Sequence, residues 1–262
     1  MGVLNVTPDS FFDGGRYDQV ESAVQHGLAM VEAGAAFIDV GGESTRPGAQ
    51  PVSDEDELRR VIPVIEELAA RISVPISIDT SKPRVMQKAV AAGATLINDI
   101  YALRAPGALE TAAALPAAIC LMHMQGEPRT MQAAPQYLDV VSEVRCFLEQ
   151  RIEACSKAEI APDRLLLDPG IGFGKRPEHN LALLARVADL KVHDRPVLIG
   201  VSRKSMFQAL LSRSVDQRLA GGLAVATASV LAGASVIRTH DVSETLDAIK
   251  IARVLLSAGF HL

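Results

Sequence analysis

One phrase recurs three times along the chain: Ala33-Gly34-Ala35-Ala36-Phe37-Ile38-Asp39, Ala92-Gly93-Ala94-Thr95-Leu96-Ile97-Asn98 and Ala232-Gly233-Ala234-Ser235-Val236-Ile237-Arg238. Each copy ends a helical stretch and sets a glycine where a left-handed cap stops a helix. It then runs through a short apolar segment to a polar residue five after the glycine. Such a run, without alternation, suits a strand buried on both faces, the environment of a parallel sheet. Each copy therefore predicts a helix feeding a parallel strand. Further short apolar runs at Gly2 to Val6, Ile76 to Ile78, Ala118 to Met122, Leu165 to Leu167 and Val197 to Val201 bring the expected strands to eight. Helix-length amphipathic segments lie between them, such as Val20 to Glu32, Ser53 to Arg71 and Leu138 to Glu159, and Ser53 with Asp56 three residues on marks a helix start. With no Gly/Ser-rich linker and no low-complexity tract, the pattern predicts an α/β chain closed as a (β/α)8 TIM barrel, one domain over residues 1–262.

Charge and composition exclude several partners. Lys and Arg number 26 against 31 Asp and Glu, a formal charge of −5, so no basic field exists to reward a nucleic-acid backbone. Leu219 to Ile237 carries no charge, but Gly221, Gly222, Thr227, Ser229, Gly233 and Ser235 make it too small and polar for a membrane span. A buried helix running into a buried strand is expected there instead. Cys120, Cys146 and Cys155 form no CxxC pair and suit a reducing compartment. Met1 to Asp9 shows no basic region followed by an apolar stretch, so the expected location is the cytoplasm.

In such a barrel the chemistry collects at the C-terminal strand ends. The residues expected there are Asn5; Glu43, Ser44, Thr45 and Arg46; Asp79, Thr80, Ser81 and Lys82; Asn98 and Asp99; His123; Asp168; Ser202, Arg203 and Lys204; and Arg238, Thr239, His240 and Asp241. Arg46, Lys204, Arg238 and His240 suit phosphate oxygens. Asp79, Asn98 and Asp168 suit the donors and acceptors of a flat, nitrogen-rich heterocycle. The pattern points to a ligand with a heterocyclic head and a phosphate tail. Gly170 to Lys175 is not a Walker A loop, because Pro169 and Arg176 occupy positions that motif reserves for Gly and Ser/Thr. Gly200 to Lys204 lacks the second glycine of a nucleophile elbow, which leaves Ser202 a structural residue, and His123 reads as a hydrogen-bonded core histidine. No His or Cys pair has zinc spacing, so any metal would be a hard cation held by oxygen.

Several longer segments resemble the dihydropteroate synthase family of pterin-binding barrels: Met1 to Phe11, Gly41-Gly42-Glu43-Ser44-Thr45-Arg46-Pro47-Gly48, Ser77-Ile78-Asp79-Thr80-Ser81-Lys82-Pro83, Ile97-Asn98-Asp99, Leu121 to Gly126, Asp168-Pro169-Gly170-Ile171-Gly172-Phe173-Gly174-Lys175, Ser202-Arg203-Lys204-Ser205 and Arg238-Thr239-His240-Asp241-Val242. The likeness runs nearly end to end and in order. It implies a transferase that joins 6-hydroxymethyl-7,8-dihydropterin pyrophosphate to p-aminobenzoate, and is inhibited by sulfonamides. By position, Asp79, Asn98, Asp168 and Lys204 would bind the pterin, with Met122 and Phe173 lining its pocket. Asn5, Arg238 and His240 would hold pyrophosphate and Mg2+, with Asn5 the metal ligand, while Phe11, Thr45, Arg46, Pro47 and Ser205 would frame p-aminobenzoate. The resemblance also implies a homodimer. Phe12 departs from the family pattern, which has serine there. The rival readings are a pterin-dependent methyltransferase module and a catalytically inactive pterin-binding paralogue.

Overall fold

A computed structural model describes residues 1–7, 16–45 and 48–260. The expected strands are present: β1 (Gly2–Asn5), β2 (Ile38–Gly41), β3 (Ile76–Asp79), β4 (Leu96–Asp99), β5 (Ala118–Met122), β6 (Leu165–Asp168), β7 (Leu198–Gly200) and β8 (Val236–Arg238). Strands β1 to β6 pair in parallel in chain order, and β7 pairs with β8. Two bridges complete the circle. Leu167 pairs with Val197 between β6 and the entry to β7, and Gly2 pairs with Thr239 between β1 and the exit of β8. The second seam carries hydrogen bonds at both edges, Val3 N–H to Thr239 O and Thr239 N–H to Met1 O, each 2.9 Å. The chain is thus a closed α/β barrel.

The recurring phrase folds the same way in each copy. Gly34, Gly93 and Gly233 take φ of 95°, 120° and 97°. The following residue reaches back five positions, with Ala35 N–H on Met30 O, Ala94 N–H on Ala89 O and Ala234 N–H on Ser229 O, at 2.8 to 2.9 Å. This is the Schellman closure, which satisfies helix carbonyls and turns the chain into the next strand.

Helices ring the barrel: α1 (Arg16–Glu32), α2 (Asp54–Arg71), α3 (Pro83–Ala91), α4 (Ala108–Ala114), α5 (Val140–Lys157), α6 (Pro177–Ala185), α7 (Met206–Leu211), α8 (Leu219–Leu231) and α9 (Val242–Ser257). Ser53 caps α2 as expected, its Oγ accepting the Asp56 N–H at 3.1 Å. Among the described residues no helix is long and apolar enough to cross a membrane. One expectation needs correction: α8 does run toward β8, but only Ala226 and Ser229 are buried in it. An outer helix of a barrel buries only its inward stripe, so lack of charge on the other face does not bury it. α8 packs against α9, whose Ile251, Val254 and Leu255 share one outward face and stay exposed, Val254 at 64%.

Within the barrel, side chains of one parity stack in levels. Leu96, Cys120, Leu166 and Leu198 form a compact apolar cluster with Phe37 and Val236 packed on it. Two residues further along the same strands stand Asn98, Met122, Asp168, Gly200, Asp39 and Arg238, because the strand period of two returns each side chain to the same face. A polar storey therefore rests on an apolar floor.

Candidate active site

The polar storey is knotted at its centre by Asp39, which is fully buried. Its Oδ2 accepts the Arg238 Nε–H at 2.6 Å and the Asn98 Nδ2–H at 3.1 Å. Arg238 Nη2 also donates to Asp79 Oδ2 at 2.8 Å. The three polar residues that end the recurring phrase thus meet across the barrel. Burial pushes the Asp79 carboxyl above the ordinary carboxylate range, while the Arg238 charge pulls it back. Burial also works against the Arg238 charge, but Asp39 and Asp79 outweigh it and hold the guanidinium protonated. Arg238 spends Nε and Nη2 on these two carboxylates. Asp39 was absent from the residues expected at the site, although its place five after Gly34 matches those of Asn98 and Arg238.

The loop after β6 forms the second wall. Asp168 Oδ1 accepts the Gly170 N–H at 2.7 Å, and burial lifts this carboxyl too. Lys204, from the loop after β7, places its ammonium 4.3 Å from the centroid of the Phe173 ring, a cation–π contact. Burial brings Lys204 down to about 8, with Asp168 opposing. Met122 and Phe173 share one apolar cluster with Ile100, Met124 and Met131. The sequence offered Lys175 only as part of a failed phosphate loop. Its ammonium is buried and donates to Gly170 O at 2.9 Å and Phe173 O at 3.0 Å, and lies 2.9 Å from His123 Nδ1. It therefore stitches the loop to its own base rather than reaching a ligand. His123 is the core histidine expected, buried against Phe147 and pushed by burial down to about 2.

Buried carboxyls, a methionine and phenylalanine cluster, and the cations of Lys204 and Arg238 gathered at one end of the barrel suit a flat polar heterocycle beside an anion. The model of the pterin binding enzyme family matches residues 1–240. The dihydropteroate synthase of Escherichia coli K12 is 53% identical over 258 residues, covering 98% of this chain and 92% of that protein. The chain belongs to the pterin binding enzyme family. Among solved structures, the Yersinia pestis dihydropteroate synthase with a sulfonamide drug superposes with a TM-score of 0.93 at 50% identity, covering 98% of this chain and 94% of that one. The Xanthomonas albilineans dihydropteroate synthase in complex with 7,8-dihydropteroate gives 0.87 at 45% identity, covering 98% and 92%.

As a pterin binding enzyme, the chain brings Asp79, Asn98, Asp168, Lys204 and Arg238 to one mouth. His240 stands beside them, its Nδ1 3.0 Å from Ser202 Oγ, which makes Ser202 the structural link between the last two loops. Ser205 lies exposed directly before α7, and Thr45 is half-buried in the loop after β2. Phe11, Phe12, Arg46 and Pro47 lie outside the described residues. Among the described residues no three His, Cys, Asp or Glu side chains cluster tightly enough to hold a metal alone. Asn5 nonetheless offers oxygen chemistry: a side chain at Gly41 would fill the space beside Asn5 Oδ1, at 3.8 Å, and Asp79 Oδ2, at 3.7 Å. Asn5 Oδ1 is the kind of oxygen that a hard cation takes, whereas Asp79 Oδ2 is already held by Arg238 at 2.8 Å.

Proposed function

We propose that the chain is a dihydropteroate synthase, condensing 6-hydroxymethyl-7,8-dihydropterin pyrophosphate with p-aminobenzoate to give 7,8-dihydropteroate and pyrophosphate. The observation that carries this reading is the Asp39–Asn98–Arg238–Asp79 knot, which sets heterocycle-binding groups and an anion-binding guanidinium side by side. Full-length relatives that are dihydropteroate synthases support it, one of them solved with 4-aminobenzoic acid, and nothing favours the methyltransferase or the inactive paralogue. The whole chain, residues 1–262, serves as one cytoplasmic barrel domain in this reading.

Asp79, Asn98 and Asp168 bind the ring donors of the pterin, Lys204 binds its acceptor edge, and Met122 and Phe173 cover its faces. Arg238 and His240 hold the pyrophosphate group. The amine is uncharged near pH 7 and needs no strong base, so expelling pyrophosphate is the demanding step. As the methylene C–O bond breaks, Asp79 and Asp168 stabilise the positive charge spreading into the ring, while Arg238 and His240 stabilise the departing oxygens. The amine nitrogen then forms the C–N bond and gives its proton to solvent. Mg2+, held by Asn5 together with the substrate, would add Lewis-acid stabilisation of the leaving oxygens. Thr45, Arg46, Pro47, Phe11 and Ser205 frame the amine. Pyrophosphate release requiring both substrates is the direct test; release at the same rate without p-aminobenzoate, or none with it, overturns the reading.

Charge states give a pH signature. Lys204 must be protonated to donate to the pterin, and Asp79 must be ionised to accept from it. With Asp79 pushed up to about 7 and Lys204 down to about 8, kcat/KM for the pterin substrate should rise through the first value and fall above the second. Lys204→Arg stays charged there, so its alkaline limb should move upward. An alkaline limb unmoved in that variant would remove Lys204 from the role.

A homodimer is part of this reading. Ile251, Val254 and Leu255 project from one face of α9 beside the uncharged α8, an apolar surface of the kind that self-pairs around a two-fold axis. Sedimentation should give a dimer for the wild type and a monomer for the Ile251→Glu, Val254→Glu double variant. A wild type that sediments as a monomer at micromolar concentration refutes the assignment.

A further inference from the structure

We infer that Glu43 and Lys82 form a clamp at the base of the loop after β2, a pair of positioning residues that sets affinity for the amine without touching it. Glu43 stands two residues after β2 and works with both carboxylate oxygens. Oε1 accepts the backbone N–H of Val52 at 3.2 Å, which ties Glu43 to Val52, nine positions on. Oε2 takes the ammonium of Lys82, which opens α3 at the end of the segment following β3. Lys82 simultaneously pairs with Glu57 on α2, whose side chain is only 1% exposed. One cation therefore ties the segments after β2 and β3 to α2 at Glu43, two residues before Thr45.

The neighbouring backbone is fixed as well. Arg60 Nη1 donates to Gly42 O at 2.7 Å, and a side chain at Gly42 would come within 2.7 Å of Val61 Cγ1 and 3.0 Å of Glu57 Cγ. Helix α2 thus grips the root of the loop from below, and Glu43 sets the distance between its two ends. Loop ends fixed in advance reduce the ordering that a ligand must impose on the residues between them. The pterin side has further anchors of its own. The end of β3 beyond Asp79 is anchored by Thr80 N–H on Asn98 O at 3.1 Å and by Ser81 Oγ donating to Asp99, whose carboxylate also receives the Tyr101 and Leu103 N–H groups at 2.8 and 2.7 Å. Loss of the clamp should therefore loosen the amine subsite selectively.

The inference rests on the reading that the 44–51 loop frames p-aminobenzoate, and the experiment separates the two. Steady-state kinetics are measured for the wild type, Glu43→Ala, Glu43→Gln, Lys82→Met and Lys82→Arg, with thermal melting alongside. In Glu43→Ala and Lys82→Met the KM for p-aminobenzoate should rise about tenfold, with the KM for the pterin pyrophosphate within about twofold of wild type. Glu43→Gln keeps an oxygen acceptor and Lys82→Arg keeps the charge, so both should recover most of the amine affinity. If Glu43→Ala fails to fold, Lys82→Met carries the same expectation. A wild type that does not turn over p-aminobenzoate overturns the functional reading. A wild type that does, with an amine KM unchanged in the folded variants or raised equally for both substrates, overturns the clamp.

Discussion

Arg238→Ala is expected to lower kcat/KM for the pterin pyrophosphate by at least about a hundredfold and to cost several kcal/mol of stability. Arg238 Nε and Nη2 bind Asp39 and Asp79 at 2.6 and 2.8 Å, and Asp39 is fully buried. Removing one partner of a buried ion pair costs about 3–5 kcal/mol, because the other charge is left uncompensated. Here two carboxylates are stranded. In the variant the Arg238 charge no longer opposes the effect of burial on the Asp79 carboxyl, so the heterocycle loses an ionised acceptor while the pyrophosphate loses its guanidinium. Arg238→Lys restores one charge but not the fork that spans both carboxylates, and should recover only part of the loss. Kinetics together with chemical denaturation check both halves. A variant within threefold of wild type in kcat/KM would mean that Arg238 is a structural strut alone.

Binding of p-aminobenzoate, or of a sulfonamide, should be at least about fivefold tighter in the presence of Mg2+ and pyrophosphate than in their absence, within the roughly 5- to 150-fold range of ordinary site coupling. In the proposed reading the pterin and pyrophosphate contacts stand at or just after strand ends, whereas the amine subsite falls to Thr45, Arg46, Pro47 and Phe11, none of them in a strand. A pyrophosphate held by Arg238 and His240 gives Arg46 an anion to bind, which offsets part of the ordering that the amine alone would have to impose. Calorimetric titration with and without pyrophosphate measures the effect. In Arg238→Ala the enhancement should largely vanish, and equal affinities in the wild type would show an amine site formed in advance.

The strands were legible because parallel-sheet burial writes itself locally as short apolar runs, and the glycine phrase marked where three of them begin. The rim residues followed from the strand ends, so Asp79, Asn98, Asp168, Lys204 and Arg238 needed no knowledge of their partners. The partners themselves are not local. Asp39 and Arg238 are 199 positions apart, and Lys82 is 25 from Glu57 and 39 from Glu43. No window of sequence records that one carboxylate will sit under one guanidinium. Lys175 was obscured for a different reason, since a glycine-rich segment ending in lysine reads as a ligand loop whether its ammonium turns outward or, as here, back onto Gly170 and Phe173. The burial of α8 was misjudged because apolar composition does not distinguish a fully buried helix from an outer helix that buries one stripe.

The stacking of a polar storey on an apolar floor also assigns different lifetimes to parts of the enzyme. Asn98 and Asp168 sit two residues above Leu96 and Leu166 on the same strands, so their backbone amides cannot open without lifting the floor itself. In a hydrogen-exchange experiment they belong with the slowest, globally opening amides. The contact of the Val52 N–H with Glu43 Oε1, at 3.2 Å, lies outside that slow unit and can open while the barrel stays shut. On the proposed assignment, the surface that reads the pterin therefore belongs to the part of the barrel that opens last.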